Sequence, residues 1–174
     1  MVGNFIADTL RGSQGSSLPE SILKGVAIHR DIDTFTDGHH LVLETRKCLY
    51  PYFGKYAAVV QDVYYDHFLA ANWKAHSEIP LFDFSNHVYQ TLERNRIYLN
   101  AKAERTLYYM SAQNWLYHYR TTEGINRALT GLSRRAKFES NMENAIPPLK
   151  KHYDEMYAHF RRFFPELVGF IRGE

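Results

Sequence analysis

The sequence contains one cysteine, Cys48, so no disulfide can form within the chain. Small folds that depend on disulfides are thereby excluded, and the composition suits a reducing compartment. No apolar run approaches the roughly 20 residues that a membrane-spanning helix requires. The opening stretch MVGNFIADTLRG is short, polar and interrupted by Asp8, which does not fit a secretory leader. The expected location is the cytoplasm, with no membrane partner. Charge of one sign is lacking too: 21 basic residues stand against 19 acidic ones, for a net charge of +2. Without a dominant basic segment, nucleic acid is not an expected partner. There is no repeat, no low-complexity tract and no Gly-rich phosphate loop, so any phosphate binding has to be led by a metal. Strand signals are sparse, with no Asn-Gly hairpin and few alternating runs.

Helical periodicity fills the space these absences leave. The chain has 174 residues, of which 45% are hydrophobic and 23% charged, as expected of one globular domain over 1–174. Aromatic residues reach 15%, enough to fill a core and to floor a cleft. The pattern predicts eight helices: Gly3–Arg11, Ser17–Phe35, His40–Tyr50, Lys55–Trp73, Phe82–Asn95, Ala101–Trp115, Thr121–Lys137, and a last one from Asn141 past Pro165 with a kink. Gly12 ends the first, Ser17 and Glu20 form a capping box for the second, and Pro51 stops the third. Short loops between eight helices imply an all-α, compact multi-helix bundle.

Two of these helices carry acidic and imidazole side chains where apolar ones are expected. At about 100° per residue, Tyr56, Val59, Val60, Val63 and Ala70 form an apolar arc that Leu69 and Trp73 extend. Asp62 and Asp66, one turn apart, fall between these groups, and His67 lies beside Val60. Gln61 and Asn72 fall on the opposite face. In the second helix Ile22, Gly25, Val26, Ile28 and Ile32 form the arc, with His29 and Asp33 inside it, while Glu20, Arg30 and Asp31 lie on or near the polar side. Direction alone thus separates Asp33 from Asp31. Ionised carboxylates aimed at a core need compensation, and a divalent cation supplies it. Oxygen and imidazole donors without cysteine suit Mn, Fe, Mg or Zn, and argue against a structural zinc. The first helix adds Asp8. Taken singly, each residue has an ordinary reading. His29 can be a hydrogen-bonded core histidine, Asp62 and Asp66 an exposed pair or partners of Arg11 or Arg46, Asp37 a helix cap, and His39 and His40 surface residues. Two helices with a one-turn pair inside the arc favour a shared site.

The segments GNFIADTLRG, GVAIHRDIDTFTD and DVYYDHFLAANW, then GLSRRAKF and FFPEL, resemble the acyl carrier protein phosphodiesterases, a family related to HD-type metal-dependent phosphohydrolases. The resemblance runs in order over nearly the whole chain. It implies an HD-like all-α fold, a divalent cation of which Mn is the first choice, and release of 4′-phosphopantetheine from holo acyl carrier protein. It places Asp8, His29, Asp33, Asp37, Asp62, Asp66 and His67 in the matching motifs. Asp8, His29, Asp33 and Asp66 are then the expected metal ligands. Asp33, Asp62 and His67 are expected to orient water or carry the proton. The resemblance also implies a short upstream Phe-Leu-Ala-His-type segment, where this sequence has only Met1 and Val2 before GNFIAD. Asp66-His67 reverses the His-Asp order of the wider superfamily. An acidic carrier protein calls for basic contacts, and Arg134 and Arg135 in GLSRRAKF are favoured. Lys137, Lys150, Lys151, Arg161 and Arg162 read mainly as solvated helix faces. Two alternatives stay open: an HD-type phosphohydrolase of a nucleotide or other small phosphoester, and a non-catalytic helical binding domain.

Overall fold

The computed structural model describes residues 1–10 and 18–174. Among the described residues ten α-helices follow in order: α1 Val2–Ile6, α2 Glu20–Gly38, α3 His40–Phe53, α4 Ala57–Ala71, α5 Leu81–Arg94, α6 Ala101–Ala112, α7 Trp115–His118, α8 Thr122–Ser133, α9 Ile146–Lys151 and α10 Tyr153–Arg172. No strand occurs among the described residues, so the all-α expectation holds.

Local chemistry sets most of the boundaries, and several differ from the periodicity. Arg11, Gly12 and Ser17 lie outside the described residues. Pro19 starts α2 without a side-chain cap, and Glu20 pairs with Lys24 at 3.0 Å one turn on. The predicted break at Thr36–Gly38 is helical. The turn comes at His39, whose ring Nδ1 accepts from the Leu41 amide at 3.3 Å and caps α3. His39 is therefore buried and not a surface residue, while His40 is exposed. Asp37 caps nothing and pairs instead with Arg46 at 2.7 Å. Pro51 sits inside α3, which runs on to Phe53 until Gly54 at φ 49° ends it. Asn114 at φ 44° splits the predicted sixth helix into α6 and α7. Asn100 and Thr121 cap α6 and α8, each accepting an amide three residues on. The predicted last helix is two, α9 and α10, and Pro165 lies within α10.

Two apolar cores organise the helices. The larger joins α3, α4, α8, α9 and α10 around Tyr64 and Phe68 of α4, with Leu49, Leu129, Met156 and Phe160 packed on them. The smaller joins α1, α2, α5 and α6 through Ile6, Val26, Leu92 and Leu107. Burying a Leu, Ile or Phe side chain stabilises by about 1.5–3 kcal/mol, so each core holds its helices firmly. α1 presses on α2 at a glycine contact. A Cβ on Gly3 would overlap the Ile22 carbonyl oxygen, and one on Gly25 would come within 3.1 Å of the Gly3 Cα. This close approach carries the residues after α1 over the face of α2.

Candidate functional site

Ile22, Val26, His29 and Asp33 form one stripe along α2, spaced four, three and four residues apart. The first two are buried against the smaller core. α1 then ends, and His29 and Asp33 continue the stripe under the 3₁₀ turn Ala7–Thr9. Asp8 hangs from that turn. His29 Nε2 lies 3.1 Å from Asp8 Oδ1 and 3.2 Å from Asp33 Oδ2. The His29 side chain is 19% exposed, Asp8 78% and Asp33 55%. The cluster thus lies in the surface and not in the core, where the helical wheel placed it. Asp31 points to solvent on the other side, as the wheel required.

One imidazole nitrogen between two carboxylate oxygens, with donor atoms of all three residues within 4.8 Å of one another, could hold a divalent cation. Adjacent ligands of an octahedral ion with bonds of about 2.1 Å stand about 3.0 Å apart, close to both N···O separations here. Asp33 titrates above the usual carboxylate range. Burial is the main cause, His29 opposes it, and the charges of Asp8 and Asp37 add to it. Positive charge brought to this point therefore meets unspent negative charge.

Asp62 and Asp66 occupy a different surface strip. The larger core encloses α4 so fully that, along Ala57–Ala71, only Asp62, Asp66 and Ala71 are exposed. The two aspartates mark the one gap in that enclosure. They touch water, yet the surrounding protein desolvates both carboxyls, and this exposed strip between enclosed faces is termed the slot. Desolvation pushes Asp62 up to about 6, with the charges of Asp37, Asp33 and Asp8 adding to it and Arg46 opposing. Asp66 rises to about 7 through desolvation and then the Asp62 charge. The α4 strip and the Asp8–His29–Asp33 cluster thus share one electrostatic field across the seam between the two cores.

The wheel misjudged α4 in two respects. It aimed Asp62 and Asp66 at the core, whereas they line an open slot. It also put Gln61 on the polar face, whereas Gln61 is 1% exposed. On a helix wrapped by neighbours, the apolar arc is too wide to show which sector is open. Gln61 is tolerated inside because Arg46 Nε donates to its Oε1 at 3.1 Å. The same guanidinium holds Asp37, so Arg46 brings positive charge to Asp62 from a fixed position. Nothing in the spacing identified Arg46 as more than a candidate partner; its role follows from α3 lying against α4.

Of the expected ligands, the structure brings Asp8, His29 and Asp33 together, while Asp66 does not join that group of donor atoms. His67 is held elsewhere. Its ring is buried against Phe68 and Tyr153, and Nδ1 lies 2.8 Å from the Tyr119 carbonyl oxygen, to which it donates. Burial pulls its pKa down, with the Tyr119 bond opposing, as for a neutral core histidine. Arg134 and Arg135 are exposed at the end of α8. Desolvation and then the Asp66 charge raise the half-buried Tyr119 phenol, and Arg135 opposes them, so Arg135 lies toward the Asp66 side of the molecule. Lys150, Lys151, Arg161 and Arg162 are exposed on α9 and α10, and Lys137 is exposed in the bend after α8, which stops at Ser133, short of the predicted Lys137.

The acyl carrier protein phosphodiesterase family model matches residues 1–167. The acyl carrier protein phosphodiesterase of Klebsiella pneumoniae subsp. pneumoniae is 31% identical over 168 residues, which cover 95% of this chain and 86% of that protein. Its counterpart in Photorhabdus laumondii subsp. laumondii is 28% identical over 169 residues, covering 97% and 85%. That of Escherichia coli O139:H28 is 29% identical over 170 residues, covering 96% and 87%. No solved structure matches the chain. Among the described residues, no helix is long and apolar enough to cross a membrane. The match extends through the 3₁₀ turn that carries Asp8, through α2 and through α4, and covers nearly the whole chain, which belongs to the acyl carrier protein phosphodiesterase family.

Proposed function

We propose that this protein hydrolyses the phosphodiester between acyl carrier protein and its 4′-phosphopantetheine arm, releasing the arm and leaving the apo carrier. The observation that carries this reading is the approach of His29 Nε2 to both Asp8 and Asp33, beside a second pair of carboxylates with raised pKa. Asp8, His29 and Asp33 are the residues that would hold a divalent cation, with manganese the first choice and magnesium, iron or zinc as alternatives. Such a cation, when bound, neutralises phosphate charge and acidifies water.

The residues of the chain supply the rest. Asp62, at about 6, is mostly ionised at neutral pH and accepts a proton from the attacking water. Asp66, at about 7, is close to half protonated there and donates its proton to the departing serine oxygen. Two neighbouring carboxyls whose surroundings set their pKa values apart divide the acid and base roles. Arg46, anchored by Asp37 and Gln61, keeps Asp62 the more acidic of the pair. Arg134 and Arg135, exposed just after α8, receive the acidic carrier protein. His67, buried and neutral, positions α4 through its Nδ1–H on the Tyr119 carbonyl and transfers no proton in the reaction.

The test is turnover of holo carrier protein by wild type and by Asp33→Asn and Asp66→Asn, read by mass spectrometry as loss of the arm. Both variants are expected to fold and to lose about 100-fold or more in rate. Wild-type turnover in both would sink the assignment, as would turnover of small phosphodiesters or nucleotides in preference to holo carrier protein.

A further inference from the structure

Two residues beyond Arg46 on α3, and so on nearly the opposite face, stands the single cysteine. The Cys48 sulfur, a ring nitrogen of His152 and a carboxylate oxygen of Glu155 lie within 4.8 Å of one another. Cys48 belongs to α3, whereas His152 is the residue before α10 and Glu155 lies in the first turn of that helix. The three donors therefore come from two helices held together by the larger core. His152 Nδ1 and Glu155 Oε2 are 3.6 Å apart. Zinc bonds of about 2.0 Å at a tetrahedral angle separate N and O ligands by about 3.3 Å, so this pair is already near ligand spacing.

The far side of the imidazole is also fixed. His152 Nε2 lies 3.2 Å from the Tyr52 hydroxyl, and Lys151 Nζ donates to the same oxygen at 3.1 Å. A phenol oxygen can accept both bonds, and in the tautomer that carries its proton on Nε2 the imidazole leaves the Nδ1 lone pair free on the side of the Glu155 carboxylate. A hydrogen bond to the distal nitrogen is how metal-binding histidines are held in tautomer and direction. A Cys–His nucleophile is the competing reading of the same atoms. It is disfavoured, because burial and the Glu155 carboxylate push the Cys48 thiol up, away from the thiolate that such chemistry needs.

We propose that Cys48, His152 and Glu155 form a second metal site, which takes a borderline-soft divalent cation such as zinc and clips α3 to the start of α10. Sulfur, nitrogen and oxygen donors in one cluster match zinc or cobalt and not the harder ions that the Asp8–His29–Asp33 cluster suits. The fourth position is open to water. Each ion bound displaces the thiol proton to solvent and leaves a thiolate–metal bond, with no change of oxidation state. The site takes no part in the proposed hydrolysis and stands or falls separately from it.

Cobalt(II) is the probe, because thiolate-to-cobalt charge transfer absorbs in the near ultraviolet and the other cluster has no sulfur. The titration uses the full chain carrying His29→Ala, and in parallel Asp33→Asn, so that the first cluster is disabled in two ways. The expected result is a charge-transfer band that saturates at one equivalent and is removed by one equivalent of zinc. Cys48→Ser, close in size, should abolish the band and leave the helical circular dichroism unchanged. His152→Ala, Glu155→Gln and Tyr52→Phe should each weaken binding by about 10–100-fold. Zinc should raise the thermal midpoint of the Cys48 protein and not of Cys48→Ser. No band at stoichiometric cobalt would overturn the proposal, and so would a band of unchanged affinity in His152→Ala and Glu155→Gln, which would mark the thiol binding alone.

Discussion

At His29 one ring nitrogen faces two carboxylates, and a single N–H cannot serve both equally well. A cation resolves that competition, so His29→Ala should cost more in activity than in stability. Turnover of holo carrier protein is expected to fall about 100-fold, while the thermal midpoint moves little, because the side chain sits in the surface. Parallel activity and melting measurements check this, and a large loss of stability with retained turnover contradicts it. Asp62 and Asp66 give a pH signature in metal-free protein. Both hold their protons to higher pH when folded, about 6 and about 7, than the ordinary aspartate value of 3.8. The native state then binds more protons than the unfolded one across that window. Their contribution to stability is therefore fully present below about pH 4 and is lost as pH rises through about 6 and 7. Asp66→Asn should flatten this slope and gain on the order of 1 kcal/mol at pH 8, a figure kept small by solvent screening in the open slot. Urea denaturation in chelator from pH 4 to 8 reads it; an unchanged slope removes Asp66 as the source.

The elements explain which parts of this were legible in the sequence. α2 and α4 were visible as helices because their apolar residues repeat at helical spacing, and the one-turn pairs His29/Asp33 and Asp62/Asp66 stood out against that repeat. Choosing Asp33 over Asp31 needed only direction on one helix. Direction was less use on α4, where enclosure by α3, α8 and α10 makes nearly every face apolar and leaves the gap to be set by the neighbours. Asp8 was legible through its motif and not through any wheel, because α1 has only five residues. Its position depends on the Gly3–Gly25 contact, a close approach of two helices that composition does not reveal. Gly3→Ala should push α1 off α2, destabilise by about 1–3 kcal/mol and carry Asp8 away from His29. The expected readout is a weaker divalent-ion affinity together with a lower thermal midpoint. If ion affinity stayed at the wild-type value, Asp8 would not be a ligand held by that contact.

In the whole molecule, the cluster comes from α2 and the turn after α1, beside the smaller core, and the aspartate slot from a helix of the larger one, so the site lies along the seam between them. Binding sites favour such seams, where two rigid bodies present different side chains to one cleft. Arg134 and Arg135 are exposed just after α8, and Arg135 acts on Tyr119, which also feels the Asp66 charge. A doubly substituted Arg134→Glu, Arg135→Glu protein should raise KM for the carrier protein about tenfold or more with little change in kcat. It should also lose most of the salt dependence of KM. The most direct test of the central account is metal dependence of the reaction itself. Protein stripped with chelator is mixed with holo carrier protein, with and without added manganese, and the carrier is weighed by mass spectrometry. The account predicts apo carrier only when the ion is restored, and none with His29→Ala at the same ion concentration. Full turnover by the stripped protein, or by His29→Ala, would contradict it.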